Sequence, residues 1–122
     1  MNRQSEIEIF IQDCPLDRAL AWVQTLLGPL TGPFDDIGMG IYHLPLGSIV
    51  FTPGVARGRF LSVWFNTPMR PWDTDIDCAR AAAVEFNLVV RCDPGQAYPE
   101  LSKHSDQFLE ITGNEERIVD WV

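Results

Sequence analysis

The sequence predicts an α+β fold: a two-layer sandwich with two helices packed on one curved, mostly antiparallel sheet. Three observations carry this. Alternating and helically spaced apolar segments follow one another in the order β-α-β-β-β-α-β-β-β. Most consecutive strands are joined by short Gly/Pro turns, which favour antiparallel pairing. The composition, 46% hydrophobic and 21% charged over 122 residues, is that of an ordinary globular chain. Residues 1–122 are expected to form a single domain burying about two-thirds of its extended-chain surface, enough for one core without metal or disulfide staples.

The first strand is Glu6 to Gln12, where Ile7, Ile9 and Ile11 share one face. A helix follows Asp13-Cys14 and runs to Leu27. Pro15 suits its first turn, because the N–H it lacks would be unpaired there, and Asp17 complements the helix dipole. Leu16, Ala19, Leu20, Val23, Leu26 and Leu27 recur at helical spacing until Gly28-Pro29 ends the run. Residues 28–40 are expected to be a Gly/Pro loop. Strands follow near 40–46, 48–53 and 59–66, with turns at Leu46-Gly47-Ser48 and from Pro53-Gly54 through Gly58. Pro45 has no backbone donor and marks the first of these as an edge strand. The run from Phe60 to Phe65 is apolar on both faces, as a central strand is.

After a loop through Trp72, a second helix spans 74–87 with Ile76, Ala79, Ala83 and Phe86 on its apolar face. Its alanines at 79, 81, 82 and 83 permit close approach to a sheet. Leu88 to Cys92 is a strand closed by Asp93-Pro94-Gly95, so the passage from 60 to 92 forms a right-handed parallel crossover. Residues 96–106 are expected to be irregular or a single helical turn. A last hairpin pairs 107–112 with 117–122 around Gly113-Asn114.

The net charge of −8 is uneven: residues 1–60 carry −2 and residues 61–122 carry −6. Like charge repels phosphate, so nucleic-acid binding is not expected. The same field draws in a basic partner. No apolar run is long enough to span a membrane, and the start MNRQSEIEIF has no signal-peptide core, so no membrane partner and a cytoplasmic location are expected. Cys14, Cys78 and Cys92 are odd in number and widely spaced, the pattern of reduced thiols.

Asp73-Thr74-Asp75-Ile76-Asp77 imitates the start of a calcium loop, but Cys78 and Val84 stand where that loop needs glycine and a bidentate glutamate. Helix capping explains it better: Asp73 or Thr74 caps, Asp77 closes a capping box from Thr74, and Asp75 and Asp77 face the positive helix end. His43 and His104 form no paired-ligand motif. Cys14 lies at a helix N-terminus, where the dipole favours a thiolate, yet a small residue also suits that turn. Ser48 has no nucleophile elbow, and the glycines at 28, 32, 38 and 40 form no phosphate loop. Arg57-Gly58-Arg59 is a charged hairpin tip able to grip an anion. No catalytic, cofactor-binding or metal-ligating residue is assigned, and no cofactor is expected.

Trp64 is expected in the core. Trp72, in Arg70-Pro71-Trp72-Asp73, either staples onto Ile76 or stands exposed between charges, the composition of an interaction hot spot. Tyr98 and Glu100 would form the other half of such a surface. Arg70, Trp72, Asp73, Tyr98 and Glu100 are therefore the candidate partner-binding residues. If the final strand is an edge, it offers a second copy a pairing site, and hence a homodimer.

In topology alone, the element order is similar to the glyoxalase-type vicinal oxygen chelate fold, built from β-α-β-β-β modules. That family sets metal ligands on its first strand; here Ile7, Ile9 and Ile11 hold the buried side, so neither metal nor chemistry is carried over. A ferredoxin-like sandwich with extra strands fits at least as well.

Two functions of different classes follow. One is a non-catalytic, acidic protein-interaction domain, such as a bacterial immunity or antitoxin-like protein masking a basic partner. The other is a small ligand-binding domain or enzyme with a pocket between sheet and helices or at a dimer interface. Its candidates are Cys14, His43, Arg57 and His104.

Overall fold

A computed structural model describes residues 6–35, 39–95 and 107–120. Along the chain they form β1 (Ile7–Gln12), α1 (Leu16–Leu27), β2 (Thr31–Asp35), β3 (Gly40–Leu44), β4 (Gly47–Gly54), α2 (Val55–Gly58), β5 (Phe60–Asn66), α3 (Asp75–Phe86), β6 (Val90–Cys92), β7 (Gln107–Thr112) and β8 (Glu115–Asp120). The strands make one sheet in the order β2-β3-β4-β5-β1-β6-β7-β8. Every neighbouring pair is antiparallel, so the fold is α+β as predicted. β5 and β6 flank β1, each antiparallel to it, and so run in one direction. The crossover through α3 therefore joins two parallel strands with a third between them. β5 lies at the centre, between β4 and β1, as its two apolar faces required.

Two expectations fail at the other end of the sheet. Residues 28–40 are not all loop, because Thr31–Asp35 pairs with β3. Gly32 and Pro33, a register shift between Thr31 and Phe34, and the lack of apolar alternation hide this strand from a pattern search. It takes the edge, so β3 is interior. Pro45 falls in the two-residue turn after Leu44, where its missing donor breaks no ladder bond. The proline the edge does tolerate is Pro33.

One face of the sheet is the core. Ile7, Ile9 and Ile11 stand opposite Phe65, Val63 and Leu61, with Ile49 and Phe51 on β4, Val90 and Cys92 on β6, and Leu109 and Ile111 on β7. α3 lays Ile76, Ala79, Ala82, Ala83 and Phe86 into that core. Its alanines let the helix approach β1, β6 and β7 closely. Thr74 caps it, accepting the Asp77 N–H at 3.1 Å, and Asn87 ends it in the left-handed region.

α1 packs on the same side with Ala19, Trp22 and Val23. Its buried stripe is turned from the expected one, since Leu16 and Leu26 are 38% and 41% exposed. Trp22 takes their place because its ring reaches two others, 5.5 Å from Trp72 and 5.2 Å from Phe86. Arg18 ties the helices together, donating to the Phe86 carbonyl at 3.1 Å and lying 5.1 Å over its ring.

β8 is the second edge. It begins at Glu115, two residues before the expected start, and Trp121 and Val122 lie outside the described residues. Glu116 accepts two bonds from Arg80 of α3, at 2.7 and 2.9 Å, which fasten this edge to the helix layer.

Candidate functional site

The face of the sheet opposite the helices is not the plain polar surface that strand alternation implies. On β1 the residues between the isoleucines are Glu8 and Phe10. β5 adds Trp64 opposite Glu8 and Ser62 opposite Phe10. β7 adds Phe108, whose ring meets Phe10 edge-on at 5.8 Å. These three rings are half-buried. Trp64 therefore belongs to this open face and not to the helix-covered core where it was expected.

The rings meet acidic side chains where β1 and β7 begin and β5 and β6 end. A pocket of about 530 Å³ opens there, lined by Glu6, Glu8, Asp75 and Asp93 together with Phe10, Trp64 and Phe108. Local structure holds two of the carboxylates in place. Ser62 donates to Glu8 Oε2 at 2.6 Å. The Gly95 N–H donates to Asp93 Oδ1 at 2.8 Å, an Asx turn that closes β6. Asp75 opens the first turn of α3. No basic residue is among the described residues lining the pocket.

Beside it lies a second arrangement of the same residue types. Arg91, opposite Phe10, donates to Glu110 Oε2 at 3.0 Å and lies 4.9 Å over the Phe60 ring. Arg117 of β8 donates to Glu110 Oε1 at 2.9 Å. Burial pushes the Glu110 carboxyl up, but the bonds from Arg117 and Arg91 outweigh it and hold the group below its ordinary value.

The residues singled out from the sequence are scattered. Trp72 is 8% exposed, its ring tilted against Trp22 at 5.5 Å and edge-on to Phe65 at 5.3 Å. Arg70 is 5% exposed and donates to the Thr67 carbonyl at 2.6 Å. Of the two alternatives for Trp72 the exposed one does not hold: its ring and Arg70 are buried, while Pro68, Met69 and Pro71 of the same segment stay exposed. Asp73 is exposed beside α3, while Tyr98, Glu100 and His104 lie outside the described residues. Cys14 is half-buried at the β1–α1 junction, and His43 is exposed on β3, its ring 5.1 Å from Phe34. β5 and β4 stand between β1 and β3, a span of roughly 14 Å, so the two side chains do not share a site. Burial raises the Cys14 thiol, with a smaller lowering by Arg18 and a raising by Asp17. Cys78 and Cys92 are buried and are also raised by desolvation. Arg57 is exposed at the α2 tip. Among the described residues, no group of three or more His, Cys, Asp or Glu is placed to hold a metal ion, and no helix is long and apolar enough to cross a membrane.

Sequence reasoning missed Phe10, Trp64 and Phe108 because it used alternation to find the buried face and stopped there. The available signal was an aromatic out of phase with the buried face on each of three strands, beside Ile9, Val63 and Leu109. No protein-family model, curated protein or solved structure matches this chain.

Proposed function

We propose that this chain is a single-domain, non-catalytic interaction protein of the cytoplasm that masks a basic protein partner, as a bacterial immunity or antitoxin-like protein does. The surface is the open face of the sheet. One observation carries the reading: the pocket at the end of that face joins Glu6, Glu8 and Asp93, with Asp75 from the start of α3, to three aromatic rings, on a chain of net charge −8. Carboxylates steer a positive surface in, and rings supply the desolvated contact that holds it.

The strand order supports the ferredoxin-like reading over the glyoxalase-type one. The order β4-β5-β1-β6, with α1 and α3 in the crossover connections, is what a ferredoxin-like core would have. The β2-β3 hairpin and β7-β8 are then additions that widen the sheet, and with it the open face.

The test is capture from the lysate of the native host on immobilised protein, at low and raised salt, beside the E8Q and W64A variants. A single basic protein held near stoichiometrically, released by salt and lost with both variants, supports the proposal. Capture that ignores salt and both variants sinks it. A second reading, a small-ligand protein, draws on the same pocket. Binding of a metabolite that stabilises the protein against heat, with no protein captured at either salt, would favour it.

A further inference from the structure

We infer that the pocket between β1, β5 and β7 receives the guanidinium of an arginine side chain presented by the partner, an inference that rests on the masking role proposed above. A pocket of about 530 Å³ falls within the usual range for a small ligand and has room for one long side chain with part of its backbone. The lining supplies both things a guanidinium uses. Glu8 and Asp93 are held by Ser62 and Gly95 and offer carboxylate oxygens. Phe10, Trp64 and Phe108 offer aromatic surface. A planar, weakly hydrated guanidinium stacks on a ring while bonding a carboxylate, whereas an ammonium keeps more of its water.

The same face already contains this recognition in intramolecular form. Arg91 lies 4.9 Å over Phe60 while bonded to Glu110 at 3.0 Å. The described lining of the pocket repeats the carboxylate-and-ring environment beside it. Carboxylates held beside rings favour a cationic occupant over a neutral or anionic one.

The experiment titrates the intact protein with three blocked tripeptides, Gly-Arg-Gly, Gly-Lys-Gly and Gly-citrulline-Gly, at low salt. The readout is the NMR shift of the Trp64 indole N–H and the Glu8 and Phe10 amides. Saturable shifts with arginine, weaker ones with lysine, and binding about tenfold weaker with the uncharged citrulline isostere are expected. E8Q and W64F should each weaken arginine binding severalfold while the rest of the spectrum stays native. E85Q, an equal charge change on the helix side, should leave it unchanged. Equal binding of citrulline and arginine, no saturable shift, or shifts indifferent to both E8Q and W64F would overturn the inference. Competition separates this idea from the masking role. If partner capture depends on Glu8 and Trp64 but arginine peptide does not compete, the arginine pocket fails and masking stands. If the peptide binds but no basic partner is captured, masking fails and the pocket stands.

Discussion

Gly47 and Glu110 show how much a single position can carry here. Gly47 begins β4 directly after the two-residue turn and has φ +136°, in the region that favours glycine. A Cβ there would run into the Asn66 carbonyl oxygen and the Thr67 side chain. G47A should therefore cost about 2 kcal/mol or more, read as a lower denaturation midpoint with an unchanged slope. Glu110 is 6% exposed and receives both Arg91 and Arg117. E110Q removes the carboxylate charge that Arg91 and Arg117 share and should cost about 2 kcal/mol at neutral pH. The sign of the pH effect follows from the lowered folded-state value. Its contribution is fully present above the unfolded carboxyl's range and is lost as pH falls through the folded value. The stability gap between wild type and E110Q should thus be flat at pH 6–7 and close below about pH 4.5. A gap that widened on acidification would contradict this assignment.

At the scale of elements, α3 depends on its ends as much as on its face. Thr74 supplies the N-terminal acceptor, and the alanines supply a close fit to the sheet. T74A should cost about 1 kcal/mol, with T74S largely restoring it, measured by chemical denaturation. β8 is held differently. It has a full ladder to β7 on one side and the Arg80–Glu116 pair on the helix side. That pair is exposed, so R80A should change global stability by less than about 1 kcal/mol. It should still speed amide exchange in Glu115–Asp120 more than in the central β1, because an edge opens locally. This fastening and the charged residues of β8 also discourage pairing with a second copy along that edge.

At the scale of the whole molecule, the two faces of the sheet differ. Both long helices pack on one face, while Glu8, Phe10, Trp64 and Phe108 lie on the other. If masking operates through that face, association should weaken about tenfold or more between low and raised salt. The E8Q/D93N double variant should lose much of that salt dependence as well as affinity, in titrations by calorimetry. An unchanged salt slope would place the electrostatic contact elsewhere on the chain.

Local pattern alone determined most of the fold. The isoleucine alternation of β1, the capped alanine-rich α3 and the doubly apolar β5 each follow from nearest-neighbour chemistry, and each was found where expected. β2 escaped because a Gly-Pro edge strand with a register shift has no period to read. The candidate site was not legible for a different reason. Glu8, Trp64, Asp93 and Phe108 are far apart in the chain, and only the placing of β1 between β5 and β6 brings them together. Trp72 shows the converse: local sequence left it either stapled inward or exposed between charges, and its ring, 5.5 Å from Trp22, lies in the core. Local spacing dictates which residues alternate or wind, because those are short-range steric and solvation choices. Which face is then covered by helices, and which aromatics stay off that face, is decided by long-range packing that only the tertiary structure contains.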